Sequence, residues 1–163
     1  MSGFDLNRRL AAEAGAADLD SYVERLLRGD APDQEMTRLV DRLTTNETYF
    51  FREPKHFDFL RGQAVPSRRA GMTYRVWSAA CSSGEEPWSI AMTLADTIGS
   101  AGWEILATDL STRVLKRAES AHYAMERADH IPRELLVRHC LRGVGSQDGT
   151  FRIVDALRQR VRF

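Results

Sequence analysis

Two adjacent acidic residues stand where many nucleotide-binding proteins carry a glycine-rich phosphate loop. Glu85 and Glu86 follow a small-residue turn at residues 81–84, between a short β-branched and aromatic run and an amphipathic stretch. In dinucleotide enzymes, the unpaired N–H groups and partial positive charge of such a helix N-terminus hold a pyrophosphate. Because the glutamates would repel a phosphate, the turn is better suited to a ligand with a cationic group, such as the α-ammonium of a methionine moiety. The missing GxGxxG motif likewise argues against a nicotinamide cofactor.

A further acid, Asp109, comes at the end of the next strand-like run. It lies about 25 positions after Gly84, close to the roughly 20 expected for an acid that accepts hydrogen bonds from ribose hydroxyls. Each acid also has a purely structural interpretation. The two glutamates can simply stabilise the helix dipole, and Asp109 can cap the helix that begins near Ser111. Both interpretations stay open at this point.

Upstream of the turn, aromatic residues crowd around a threonine and asparagine cluster and a single arginine in the stretch TTNETYFFR, residues 44–52. The planar guanidinium of Arg52 is suited to bidentate binding of a ligand carboxylate. The alternatives are that the polar residues cap a helix, that the aromatic side chains lie in the core and that Arg52 is an ordinary surface cation. None of the four histidines is assigned a role.

The elements that must position these residues follow from the spacing of apolar side chains. An amphipathic helix is predicted from Leu19, with Asp18 as its cap and Gly29 at its end, and a second helix over residues 36–43. Residues 62–73 are predicted to form a loop, because two glycines and a proline interrupt them.

The second half of the chain alternates strand and helix patterns. Strands are predicted at residues 74–80 and 103–109, and helices over 85–98 and from about Ser111. A further helix is predicted over 131–141, and one or two strands over 151–163. Strand, turn, helix, strand and helix in this order are the opening of a doubly wound α/β domain.

The composition limits the classes of partner. Lysine plus arginine equals aspartate plus glutamate at 23 each, so no overall positive field exists to hold nucleic acid or an anionic membrane. The N-terminus lacks the features of a secretory signal, and no run approaches the ~20 apolar residues that span a bilayer. Cys81 and Cys140 lack the spacing of a zinc site or a disulfide framework and are predicted to be buried. These features predict a cytoplasmic protein with no metal site and no membrane insertion.

Three stretches together carry a specific resemblance. TTNETYFFREPKHF, RVWSAACSSGEEPWSIAMTLAD and ILATDLSTRVLKRAESAHY, in this order and at plausible spacing, closely resemble the chemotaxis-receptor methyltransferase family. That family methylates glutamate side chains on the cytoplasmic helices of chemotaxis receptors, with S-adenosyl-L-methionine as methyl donor. The resemblance covers nearly the whole chain. It implies an α/β fold class, with a partial Rossmann-like methyltransferase domain preceded by a small helical domain.

The resemblance also assigns roles to individual residues. The residues that it places at the cofactor are Asn46, Thr48, Arg52, Ala79, Glu85 and Asp109. Among them, Arg52 would bind the methionine carboxylate and Asp109 the ribose. The turn near Ala79 and Glu85 would face the methionine amino group, with Glu85 preferred to Glu86. No residue is assigned a catalytic role, since a substrate glutamate with a pKa near ~4.3 is already ionised at neutral pH and needs no strong base.

The resemblance divides the chain into three parts: an incomplete N-terminal helical domain at residues 1–43, a cofactor-contacting helix and linker at 44–73, and the N-terminal part of the methyltransferase domain at 74–163. In the family, basic helix faces of the first domain approach the receptor. The candidates for this contact are Arg8, Arg9, Arg25 and Arg28. For each of them, ordinary solvated surface is the alternative role.

The same resemblance predicts that the chain is truncated at its C-terminus and at its N-terminus, so that adenine-binding and substrate-positioning residues lie beyond Phe163. A parallel sheet that stops after two or three strands leaves a hydrophobic edge, which predicts weak stability or self-association. The leading hypothesis is a glutamate methyltransferase of which this chain carries part of the catalytic domain. The alternatives are a non-catalytic cofactor- or receptor-binding module derived from the family, and an α/β nucleotide-binding protein of another class.

Overall fold

The computed structural model describes residues 15–30, 35–36, 39, 41, 47–67 and 71–163. By their contacts, the residues of the chain form two compact units, 1–45 and 46–163, and each is considered by itself. Within the described ranges, no helix combines the length and the apolar character needed to cross a membrane. The three-part division predicted from the sequence stays a prediction.

The first unit contains helix α1, Leu19–Leu27, which begins and ends as predicted. Asp18 accepts a hydrogen bond from the backbone N–H of the third helical residue at 2.8 Å, and that residue's hydroxyl accepts one from the backbone N–H of Asp18, which together form a capping box. Tyr22 and Leu26 are buried on one face of the helix. The second predicted helix, at 36–43, lies largely outside the described residues.

The second unit begins with an irregular segment and helix α2, Pro54–Ser67. The predicted loop is wrong for residues 62–67, which continue this helix through Gly62 and Pro66. Pro66 lies one residue from the helix end, so the intrahelical bond that its missing N–H removes belongs to the last turn. Burial of Phe57 and Ala64 in the core stabilises the helix and compensates for the low helix propensity of its glycine and proline.

Four elements of the α/β pattern lie within a residue or two of their predicted bounds. They are β1, Tyr74–Ala79; α3, Glu85–Ile98; β2, Trp103–Thr108; and α4, Thr112–Ser120. β1 and β2 pair in parallel over their whole length, from Tyr74 beside Trp103 to Ala79 beside Thr108. The C-terminal strand β6, Val161–Arg162, joins the other side of β2 in parallel, which gives the strand order β1-β2-β6.

A second sheet, which the sequence did not predict, lies between α4 and β6. Its strands are β3, His122–Ala124; β4, Cys140–Arg142; and β5, Thr150–Ile153, in the antiparallel order β3-β5-β4. Helix α5, Arg133–His139, is shorter than predicted because Cys140 already pairs with β5. The one or two strands predicted for 151–163 are present as β5 and β6, and helix α6, Asp155–Arg158, separates them.

The core of the second unit lies between α3 and the sheets. Its largest buried members are Trp88, Trp103, Phe50, Tyr123 and Phe151. The parallel sheet leaves Trp77 and Leu106 exposed on its other face. Cys81 is buried as predicted, whereas the prediction is wrong for Cys140, which is only partly buried; both are free thiols.

Candidate functional site

The turn between β1 and α3 is built around a glycine that no other residue can replace without strain. Gly84, at the N-terminus of α3, has φ +95°, in the left-handed region that L side chains rarely adopt. A Cβ at this position would lie 2.8 Å from both Ala118 Cβ and the Tyr123 hydroxyl oxygen. That hydroxyl donates a hydrogen bond to the Ser83 carbonyl at 2.7 Å. The turn is therefore pressed against α4 and β3 and held there.

Most left-handed backbone conformations at non-glycine residues occur in two places, the turn between β1 and α3 and the segment before α2. Of the five found in the described part of the chain, Ala80 (φ 58°) and Ser82 (φ 49°) lie in the turn, Phe51 (φ 56°) and Glu53 (φ 58°) lie in the segment before α2, and Ala121 (φ 52°) is the C-cap of α4. Such conformations cost of order 1–3 kcal/mol each and often mark binding sites. The buried hydroxyl of Ser82 has no hydrogen-bond partner among the described residues, so the turn keeps a polar group available to a ligand.

Asp109 connects this turn to the start of α4. Its Oδ2 accepts a hydrogen bond from the Ser82 N–H at 2.8 Å, and its Oδ1 accepts one from the Ser111 N–H at 2.9 Å. The N-cap of α4 is Ser111, whose hydroxyl accepts a hydrogen bond from the Val114 N–H, so Asp109 is not the cap itself. Its carboxylate is fixed at the carboxyl end of β2, beside the turn.

The two adjacent glutamates have different environments. Glu85 is 0 % exposed; its Oε1 accepts a hydrogen bond in an ion pair with Arg127, and its Oε2 accepts one from the Ser83 hydroxyl at 2.7 Å. Glu86 is exposed and accepts a hydrogen bond from the Ser78 hydroxyl at 2.6 Å. A buried carboxylate in an ion pair does more than complement a helix dipole, because its burial requires a permanent partner.

Arg127 was not predicted as a site residue. It lies in the short 3₁₀ helix Met125–Ala128, and its Nη2 donates both to Glu85 and to the Thr48 carbonyl, the latter at 2.9 Å. The side chain of Arg127 is 34% exposed. No local pattern marks this residue. The one available signal is indirect: a glutamate inside a core needs a cation, and the sequence does not say which.

The segment that contains the TTNETYFFR motif is anchored to α3 by backbone and aromatic contacts. The Phe51 N–H donates to the Ser89 hydroxyl at 3.0 Å, and that hydroxyl donates to the Glu85 carbonyl at 2.7 Å. Phe50 is fully buried, with its ring edge-on to Tyr123 at 5.1 Å between centroids. The core interpretation is therefore confirmed for Phe50 and Phe51.

Arg52 lies in this segment but projects outward. Its Nη1 donates to the Glu47 carbonyl at 3.0 Å, and its guanidinium carbon lies 5.9 Å from the centre of the Tyr49 ring. Tyr49 is 41% exposed, and its ring lies 4.6 Å from that of His130. Arg52 forms no ion pair with another described residue, so its charge is available to an anionic group.

The structure brings some of the predicted site residues together. Arg127 joins Thr48 to Glu85, and the turn joins Ala79, whose strand partner is Thr108, to Asp109. No direct contact between described residues joins Arg52 to these groups. Asn46 lies outside the described residues.

The basic candidates for receptor contact lie in the first unit. Arg8 and Arg9 are outside the described part of the chain. Arg25 and Arg28 belong to α1 and its C-terminal cap, and Arg28 forms an exposed ion pair with Glu24 at 2.9 Å.

Two buried ionisable groups near the turn are held neutral. Burial, and secondarily the charge of Asp109, raise the pKa of the Cys81 thiol to about 12, so it carries no thiolate at neutral pH. Burial also raises the pKa of Tyr123, with Glu85 as a second cause. Tyr123 supports the turn through its hydrogen bond to the Ser83 carbonyl.

Comparisons with known proteins show which family the chain belongs to. Residues 46–163 match the family model described as CheR methyltransferase, SAM binding domain. The chain is 42% identical over 160 residues to the chemotaxis protein methyltransferase of Escherichia coli K12, covering 97% of this chain and 54% of that protein. It is 40% identical over 157 residues to chemotaxis protein methyltransferase 2 of Pseudomonas aeruginosa, covering 95% and 56%. The chain thus spans about half the length of the curated relatives it matches.

The parallel sheet, the glycine turn and the helix after it form a partial Rossmann-like domain, and the family match assigns this domain to the methyltransferase class. The family match covers most of the chain, and the chain belongs to the CheR methyltransferase family. S-adenosyl-L-methionine is accordingly the cofactor of the domain at residues 46–163.

Proposed function

We propose that this chain is part of an S-adenosylmethionine-dependent enzyme of chemotaxis that methylates glutamate side chains on the cytoplasmic helices of receptors. The observation that carries the proposal is the convergence of two motifs on the β1–α3 turn. Asp109 and Glu85 approach the turn from β2 and α3, while Arg127 connects Glu85 to Thr48 in the upstream motif. The names of the relatives, chemotaxis protein methyltransferases, support the reaction class and the biological context.

The residues present suit the charged ends of the cofactor's amino acid. Arg52 is exposed and offers a guanidinium to the methionine carboxylate. The proposed acid for the amino group is Glu85, whose carboxylate lies at the turn in an ion pair with Arg127, and Asp109, fixed at the end of β2, would accept hydrogen bonds from the ribose. Asn46, Thr48 and Ala79 complete the proposed set. The unpartnered Ser82 hydroxyl gives the turn one further polar group for this ligand.

The bound cofactor supplies a methyl group on a positively charged sulfur. The chain's own contribution is to hold this sulfonium compound by its amino-acid and ribose parts and to keep water away from it, so that an incoming carboxylate meets the methyl group in line. A substrate glutamate is already ionised at neutral pH, so the neutral Cys81 and Tyr123 side chains are compatible with the reaction. The proposed partners are receptor helices, with Arg25 and Arg28 as candidate contacts. Self-association through the sheet stays a prediction.

Calorimetric titration of the chain with S-adenosylhomocysteine tests the cofactor site. Arg52→Ala and Asp109→Ala are each expected to weaken binding at least about tenfold, because each removes a hydrogen bond that involves a charged group. Arg61→Ala is the matched control, since Arg61 is a partly exposed arginine of α2 that pairs with Asp58. Absence of binding by the folded parent chain would refute the proposal, and so would undiminished binding by both site variants.

Transfer of tritiated methyl groups to receptor-containing membranes tests the reaction itself. Glutamyl methyl esters release volatile methanol in mild base, so base-labile label on the receptor band is the expected product. Binding of S-adenosylhomocysteine without any transfer would instead support the alternative of a non-catalytic module. Base-stable label would contradict methylation of glutamate.

A further inference from the structure

We propose that Arg127 is a positioning residue for the amino-acid end of the cofactor, a role that rests on the function proposed above. Its Nη2 bridges the Glu85 carboxylate and the Thr48 carbonyl, at 2.9 Å from the latter. Glu85 opens α3, and Thr48 belongs to the segment before α2. One guanidinium therefore sets the separation of two residues that the family resemblance assigns to the same ligand.

The burial of Glu85 makes this contact necessary. A carboxylate that is 0 % exposed requires a charged or hydrogen-bonding partner on each oxygen. The Ser83 hydroxyl is such a partner but is neutral and belongs to the same turn. Arg127 is the cation that the described residues provide, and it comes from a different element, the 3₁₀ helix after β3.

The segment around Thr48 is held at two points with different consequences. The Phe51 N–H bonded to Ser89 fixes the backbone at its C-terminal end, on the buried side of α3. Among the described contacts, the bond to Arg127 is what fixes Thr48 itself. Loss of Arg127 would leave the segment docked through Phe50 and Phe51 but would release Thr48 from Glu85.

Arg127 is also suited to line a ligand site rather than only to fill a core. Its side chain is 34% exposed, whereas its Nε is buried and has no hydrogen-bond partner among the described residues. The guanidinium thus keeps one polar group unsatisfied next to an enclosed carboxylate. The charged amino-acid end of the cofactor could therefore bind beside the ion pair of Arg127 and Glu85.

The test compares two ligands that differ at the amino-acid end of the cofactor. S-adenosylhomocysteine carries the amino acid, whereas 5′-methylthioadenosine keeps the adenine, ribose and sulfur and lacks it. Arg127→Gln is expected to weaken binding of S-adenosylhomocysteine about tenfold, the effect of one lost charged hydrogen bond, and to leave binding of 5′-methylthioadenosine within about twofold. Arg127→Lys, which keeps the charge but not the planar fork, is expected to restore part of the affinity.

Arg138→Gln is the matched control, because Arg138 forms an exposed ion pair with Asp96 on the surface of the same unit. It should leave both dissociation constants unchanged. An equal loss for both ligands in Arg127→Gln would show a merely structural role and overturn the proposal, as would unchanged affinities. Should Arg127→Gln fail to fold, Arg127→Lys decides by the same comparison. If the parent chain itself does not bind S-adenosylhomocysteine, the proposed function fails before this inference is reached.

Discussion

The two sides of the candidate site are built in opposite ways. On one side, the turn at residues 80–84 and the Glu85 carboxylate are enclosed by hydrogen bonds from Tyr123, Ser83 and Arg127. On the other side, the segment before α2 buries its aromatic residues but leaves Arg52 exposed, with one hydrogen bond to a neighbouring carbonyl. One charge is thus fixed inside the fold, and the other lies at its surface.

This difference decides which residues can be changed without loss of the fold. A buried charge with a permanent partner contributes to folding and to binding together, because removal of one partner leaves the other unsatisfied. An exposed guanidinium contributes little to stability, so its binding role can be measured separately. Substitutions on the turn side should therefore lower stability most, and substitutions on the segment side should act mainly on affinity.

Gly84→Ala is expected to have the largest effect on stability. The left-handed φ and the contacts of the new Cβ with Ala118 and Tyr123 together should cost about 3 kcal/mol or more. Gly99→Ala is the control, since Gly99 also has a positive φ, +85°, but no atom within 4 Å of its ideal Cβ. Urea unfolding followed by the fluorescence of the buried Trp88 and Trp103 measures both changes. Equal losses would show that backbone conformation, and not crowding at the turn, is what requires glycine.

Glu85→Gln and Glu86→Gln form a matched pair on the first turn of α3. Glu85→Gln keeps the side-chain shape but leaves Arg127 without its counter-charge, which should cost about 2 kcal/mol because Arg127 is partly exposed. Glu86→Gln should cost less than about 0.5 kcal/mol, since the exposed amide oxygen can still accept from Ser78. The same unfolding measurement separates them. Comparable losses in the two variants would remove the distinction between the buried and the exposed acid.

The sequence predicted the parallel part of the fold well because its signals are local. The helices α3 and α4 show apolar periodicity, β1 and β2 are short runs rich in β-branched and aromatic residues, and turns or caps mark their ends. The antiparallel sheet escaped prediction because strands of three or four residues are too short to show alternation. Their pairing, such as that of His122 with Arg152, joins residues distant in the chain. The loop predicted through Pro66 failed because packing of the helix overrode residue preference.

The same distinction between local signals and long-range pairing applies to the residues of the candidate site. Glu85 and Asp109 stand at positions that strand and turn signals mark, so the sequence could propose them as site residues, and their role at the cofactor stays a prediction. Arg127 lies in a stretch without a predicted element, and its contacts with Thr48 and Glu85 span large sequence separations. Long-range charge pairing of this kind follows from the fold and not from a motif, so the sequence could not predict it.

Tyr49→Leu should give the smallest effect and tests the exposed side of the comparison. A cation over an exposed aromatic ring is worth roughly 0.5–1 kcal/mol, so loss of the ring beneath Arg52 should weaken S-adenosylhomocysteine binding about two- to fivefold. Stability should change by less than about 1 kcal/mol, because Tyr49 is 41% exposed. Tyr49→Phe retains the ring and should bind as the parent chain does, in the same calorimetric titration. A loss of affinity in Tyr49→Phe as large as in Tyr49→Leu would assign the effect to the hydroxyl, and then Arg52 would not depend on the ring for its orientation.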